Sequence, residues 1–269
     1  MHNPAGPRGA NLFPNMPGDA EVPTGAFSHG GAIYVFYSTA ELSPLEMRGS
    51  YLAMWRTPST TGLPTYDILH RVDHRFDATG PLRGQFINIA PLVVGDHVYL
   101  YGTGAYRTSP VHLARKRLTA LESPGGFERY DAATGAWVTS TATAAPVVAT
   151  PALGELSVRY FPSIDRYVML DQEVTAGNRI AARFARAPEG PWSEPVTVAS
   201  MSDAAFTARH CCIGTDCPGE RMIECDRAAF YAPHMLPTAT RNADGSFSIT
   251  FLVSTWVPYN VALMTATFR

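Results

Sequence analysis

The residue types best suited to chemistry stand in one short run, Gly154-Glu155-Leu156-Ser157-Val158-Arg159-Tyr160. Side chains alternate between the two faces of an extended strand, so Glu155, Ser157 and Arg159 share a face. A carboxylate and an arginine placed this way form a plain salt bridge, or the arginine positions and tunes Glu155 for proton transfer to a leaving oxygen. A second carboxylate, Glu21, enters an earlier extended segment just before Val22-Pro23-Thr24-Gly25. Cleavage of a glycosidic bond needs two carboxyl groups, about 5–5.5 Å apart for retention of configuration and about 6.5–9.5 Å apart for inversion. Glu155 and Glu21 are the candidate catalytic pair on these grounds.

Further polar and aromatic residues are candidates for holding a substrate. Gln85, Asn88, Tyr231 and His234 lie in segments of the same kind as the one that carries Glu155 and Arg159. His234, in Tyr231-Ala232-Pro233-His234, suits a proton shuttle, a substrate contact or a cation ligand; a histidine simply hydrogen-bonded in place is the plainer alternative. Trp256 and Tyr259 fall in a hairpin turn, Ser254-Thr255-Trp256-Val257-Pro258-Tyr259-Asn260. Their ring faces suit stacking on a sugar or packing between sheets. Arg107, following Tyr99-Leu100-Tyr101-Gly102-Thr103, has the same two readings. There is no Gly-x-Ser-x-Gly elbow and no glycine-rich phosphate loop after a strand, so the sequence gives no support to serine-triad or nucleotide chemistry. No cofactor is called for, although a cation bound in a shared polar channel is compatible with these side chains.

The elements that must position these residues recur along the chain. An apolar run with almost no alternation appears four times, at Ile33–Tyr37, Val98–Tyr101, Tyr167–Leu170 and Ile249–Val253. Such a run reads as a strand buried on both faces. A second strand follows each at hairpin distance, at Tyr51–Trp55, Val111–Ala114, Ile180–Phe184 and Val261–Thr265. A segment mixing small, polar and apolar residues precedes each pair: Val22–Phe27, Phe86–Val94, Leu156–Phe161 and Ala229–Leu236. Three of the units also have a candidate outer strand, at Tyr66–Val72, Ala136–Thr139 and Pro195–Ala199. Repeated four-stranded units predict an all-β fold, a β-propeller with four blades visible, in which the first strand of each unit lines a common channel. A β-sandwich is the alternative, though its strands should alternate more cleanly.

Composition agrees with this reading. The chain has 269 residues, 46% hydrophobic and 16% charged, with 22 glycines and 22 prolines, which favours short strands and many turns over long helices. One domain spanning 1–269 accommodates that length. Net charge is -2 without a Lys/Arg run, so nucleic acid is not an expected partner. No stretch approaches the ~20 apolar residues of a membrane span, and Met1–Pro23 lacks the apolar core of a signal peptide. The segment 139–151, rich in Thr, Ala and Pro, reads as a connection, and 201–227 as an insertion holding all four cysteines. Cys211, Cys212, Cys217 and Cys225 fit disulfides stapling a surface loop, a zinc site shared with His210, or free thiols; disulfides would indicate an oxidising compartment.

The order of Val22-Pro23-Thr24-Gly25, Tyr99–Thr103, Gly154–Tyr160, Pro188-Glu189-Gly190-Pro191-Trp192-Ser193 and Ser254–Asn260 resembles the bacterial family catalogued as domain of unknown function 4185. Some members are endo-acting D-arabinofuranosidases that cut D-arabinan. The resemblance implies a five-bladed propeller with a glycan-cleaving site at one end of its channel. The chain is expected to be a monomer in the secreted or cell-envelope exterior space, with a polysaccharide or oligosaccharide as partner and no membrane. Glu155 carries over as a channel residue. Family members usually have a further N-terminal blade with important carboxylates, and no residues here match it. The expectation is therefore a fragment, a four-bladed ring or an inactive homologue, with glycan binding alone as the alternative to hydrolysis.

Overall fold

The computed structural model describes residues 18–57, 64–139, 143–211 and 223–269. The chain is all-β, and its strands follow one another as antiparallel neighbours. The first sheet holds β1 (Ala20–His29), β2 (Ala32–Leu42), β3 (Leu45–Trp55) and β4 (Asp67–His74), in that spatial order. A second unit runs through β5 (Asn88–Val94), β6 (His97–Thr103), β7 (Ser109–Arg117), β8 (Glu128–Asp131) and β9 (Ala136–Val138). The third holds β10 (Val148–Phe161), β11 (Arg166–Glu173), β12 (Arg179–Ala185) and β13 (Val196–Ala199). After a short helix α1 (Ala204–His210), β14 (Ala229–Arg241), β15 (Phe247–Trp256) and β16 (Asn260–Phe268) form the last sheet.

Two features depart from the repeat as read in sequence. β10 starts at Val148, inside the segment expected to be a connection, and pairs with β7 at Val148–Val111 and Leu153–Ser109. That pairing joins the second and third units into one continuous sheet of nine strands. The fourth strand of the second unit is β8, a short polar segment around Arg129 and Tyr130; the expected outer strand, Ala136–Val138, pairs outside it.

Three of the unalternating runs, in β2, β6 and β11, are middle strands covered on both faces, whereas β15 buries Ile249, Phe251 and Val253 and leaves Thr250 and Leu252 half-buried. Tyr34 and Phe36 of β2 and Leu52 and Met54 of β3 pack against Phe86, Ile89, Leu100 and Ala114 of the second unit. From the opposite face of that unit, Tyr99, Tyr101, Val111 and Leu113 meet Leu153, Leu156, Val158 and Met169. Val168, Leu170, Ile180 and Ala182 then meet Phe230, Met235, Ile249, Phe251 and Val253 of the last sheet. Each large apolar side chain so buried contributes roughly 1.5–3 kcal/mol. Adjacent sheets touch through their first strands: β1 with β5, β5 with β10 and β10 with β14. The first approach is close because Gly25 lies over Pro91, where an added Cβ would stand 2.3 Å from Cδ. Among the described residues no comparable packing joins β14 to β1, and the sheets do not close on themselves.

The insertion between β13 and β14 is tied by a disulfide between Cys211 and Cys225, a separation of 14 residues. Asp203 caps α1 by accepting a hydrogen bond from the Phe206 N–H, 2.9 Å away. The disulfide takes two of the four cysteines that a zinc site with His210 would have used. Cys212 and Cys217 lie outside the described residues. No helix among the described residues is long and apolar enough to cross a membrane.

Candidate functional site

A cavity of about 440 Å³ gathers side chains from all four units. Its walls are Val22, Ala40, Leu42, Leu45 and Met47 from the first sheet, Tyr106 and Arg107 from the β6–β7 loop, Glu155 from β10, and Ala229, Tyr231, Trp256 and Tyr259 from the last sheet. The first sheet contributes aliphatic side chains and the last sheet mainly aromatic ones, while Tyr106 packs with Val22 on the Ala40, Met47 and Ile87 cluster. Below it, a tighter recess is bounded by Met47, Asn88, Thr103, Gly104, Tyr106, Arg107, Gly154 and Glu155.

Glu155 and Arg107 form the polar centre. Nη2 of Arg107 lies 3.3 Å from both Oε1 and Oε2 of Glu155, so one N–H group serves the two oxygens. The guanidinium stands 4.8 Å from the Tyr106 ring centroid and 5.8 Å from that of Tyr231. Two electron-rich ring faces and a carboxylate thus hold one cation. Arg107 has a left-handed backbone, φ 53°, which turns the β6–β7 loop at this point. Burial raises the Tyr106 phenol above its ordinary pKa, and the neighbouring Glu155 charge adds to it; Tyr231 is raised chiefly by burial as well. Both hydroxyls remain protonated, and able to donate, well past neutral pH.

At the rim, Trp256 and Tyr259 meet edge to face with centroids 4.5 Å apart. They are 48% and 69% exposed, which leaves ring surface free for a ligand. Opposite them Leu42 and Leu45, on either side of the β2–β3 turn, are also exposed.

The sequence candidates divide into three groups. Glu155, Arg107, Tyr231, Trp256 and Tyr259 meet at the cavity, and Asn88 at the recess beneath it. Arg159 shares a strand with Glu155 but the arginine on the carboxylate is Arg107, so the expected Glu155–Arg159 bridge is replaced by one from another unit. Arg159 lies instead near His234, whose ring is held below its ordinary pKa, first by desolvation and then by the Arg159 charge. Glu21 and Gln85 do not line the cavity: Val22 does, and alternation along β1 turns exposed Glu21 away. Among the described residues Glu155 is the one carboxylate on its wall. Sequence reasoning missed Tyr106 and the aliphatic wall. Leu42-Ser43-Pro44-Leu45, two leucines flanking a turn, was the available signal for the latter.

Solved structures share this fold at low identity. A candidate hydrolase from Bacteroides ovatus ATCC 8483 matches with a TM-score of 0.53 and 18% identity, over 86% of this chain and 54% of that one. The chain therefore spans about half the length of that protein. The α-L-arabinanase of Cellvibrio cellulosa, solved with arabinohexaose, matches with a TM-score of 0.50 and 11% identity, over 92% of this chain and 73% of that one. A thermostable family-43 glycoside hydrolase gives a TM-score of 0.50 and 8% identity over 93% and 70%. At such identities the likeness is one of fold. No curated protein matches the chain. The family model that does match, over residues 14–265, is Domain of unknown function (DUF4185).

Proposed function

The chain belongs to that family, and from this premise we propose that it acts on furanose-rich polysaccharide such as D-arabinan, which it binds across the Trp256–Glu155 cavity and cleaves by carboxyl chemistry. Its units are blades around an axis, Glu155 stands at one end of the channel, and the protein works outside the cytoplasm. The observation that carries this reading is the convergence of all four units on one carboxylate–arginine pair beneath exposed aromatic rings. The disulfide accords with an oxidising compartment. The arabinanase found with arabinohexaose shares the fold.

In this scheme Trp256 and Tyr259 stack on sugar rings, and the Tyr106 and Tyr231 hydroxyls donate to sugar oxygens. Glu155, fixed by Arg107, supplies negative charge beside the developing oxocarbenium centre. The second carboxyl group comes from outside the cavity wall described above, where Glu21 also lies. That separation favours one further reading, glycan binding without cleavage by this chain alone.

Incubation with D-arabinan and chromatography of the products separates the two. Hydrolysis predicts short oligosaccharides from the parent chain and none from Glu155→Gln. Saturable binding without product would replace hydrolysis by binding. Unchanged turnover by Glu155→Gln would remove Glu155 from the mechanism.

A further inference from the structure

The strand that presents Glu155 is irregular at that point. Leu153 of β10 faces Glu173 of β11 and Leu156 faces Asp171, so Gly154 and Glu155 together stand opposite the single residue Gln172. This is a β-bulge, a device that re-aims a side chain out of the regular pleat. It also explains how Leu153 and Leu156, three apart, enter the same core.

Gln172 fills the space the bulge creates. It is 1% exposed. A Cβ added to Gly154 would lie 2.2 Å from its Oε1 and 3.2 Å from its Cβ, so the amide rests directly on the Gly154 Cα. Nε2 of Gln172 donates to Oδ1 of Asn178 at 2.6 Å. Asn178 sits in the β11–β12 turn with φ 56°, a conformation that asparagine and glycine tolerate. Oε1 of Gln172 is buried and accepts no hydrogen bond among the described residues.

We infer that Gln172, tethered by Asn178, is a positioning residue for Glu155: it fixes the Gly154–Glu155 bulge and so aims the carboxylate at Arg107 and the cavity. The inference deepens the function proposed above and rests on it only for its kinetic consequence. The side chain acts through the bulge and does not touch the cavity. Gly154 is required because any larger residue would displace the amide.

Asn178→Gly cuts the tether while keeping the backbone conformation, and Gln172→Met removes the amide while keeping the length. The first measurement needs no activity: a double-mutant cycle between Glu155→Gln and Arg107→Met, followed by urea unfolding, in the parent and in each variant background. The expected result is a Glu155–Arg107 coupling that is present in the parent and lost in both backgrounds. An undiminished coupling would overturn the inference. Where D-arabinan is turned over, kcat should fall roughly 10- to 100-fold in both variants, as for a misplaced catalytic group, with KM within about twofold. Gly154→Ala should also lose the coupling, because its Cβ would displace the Gln172 amide; an undiminished coupling there would count against the steric seat. Absence of turnover in the parent would refute the proposed hydrolysis and leave the coupling measurement decisive here.

Discussion

Two acid–arginine clusters involve the third unit, and they differ in one respect that separates structure from chemistry. Arg183 reaches Asp171 through Nε at 3.0 Å and Glu173 through Nη2 at 2.6 Å, with side chains 5%, 0% and 3% exposed. Arg179 and Thr150 complete that group. Glu155 and Arg107 carry the same charges, but their pairing is looser, and both keep some exposure to the cavity. The buried cluster binds β11 to β12 and leaves nothing for a ligand to displace. The cavity pair has one N–H on two oxygens and stands open to the cavity. Similar residues are thus sealed in one place and accessible in the other, and only the second arrangement leaves room for the ligand proposed above.

The sharpest way to break this contrast is to remove each arginine. Arg183→Met leaves buried Asp171 without its cation and Glu173 with Arg179 alone, and unfolding in urea should show a loss of about 3–5 kcal/mol. Arg107→Met should cost less than about 1 kcal/mol, because Glu155 retains access to water. Equal losses would erase the distinction.

A pH titration of stability comes next. Burial pushes the Asp171 carboxyl up to about 7, against the pull of Arg183. The folded state then keeps a proton that the unfolded chain releases. Stability from this group is full near pH 3.8 and falls as pH rises to about 7, by up to ~4 kcal/mol. Asp171→Asn should abolish that part of the slope. Buried His112 works in the opposite direction. Desolvation and Arg129 lower it to about 4, so its neutral form loses stability as pH falls from 6.5 toward 4. Keeping His112 in both proteins isolates Asp171, and an unchanged slope in Asp171→Asn would show that Asp171 does not hold the proton. The smallest effect belongs to the rim: Trp256→Ala should weaken D-arabinan binding by about 0.5–1.5 kcal/mol in calorimetry. The midpoint of unfolding should hardly move.

Much of the scaffold was legible because burial on both faces leaves a plain trace. Ile33–Tyr37 and Val98–Tyr101 could be little else than middle strands, while Ile249–Val253 is a middle strand with one face only half-buried. β8 escaped notice because Glu128–Asp131 is polar and short, and only its pairing with β7 makes it a strand. The start of β10 was hidden by Thr, Ala and Pro, whose local preferences yielded to pairing with Val111. At the site, Glu155 could be found from its own strand, and so could the face it shares with Arg159. Its true partner could not, since Arg107 arrives from another unit and 48 residues earlier. Alternation correctly separates Val22 from Glu21, but which of the two meets the cavity depends on how β1 packs on β5. The bulge at Gly154 has no local signature beyond the glycine itself.

Every unit is a run of consecutive strands, and among the described residues only the β7–β10 pairing stitches one unit's backbone to the next. A whole unit could thus be inserted or deleted at a boundary without rethreading the chain, because what changes is which faces touch. Evolution by duplication and loss asks for little more than this modularity. It also leaves the spacing between first and last units as the cheapest dimension in which relatives can diverge, and that spacing sets the width of the cleft.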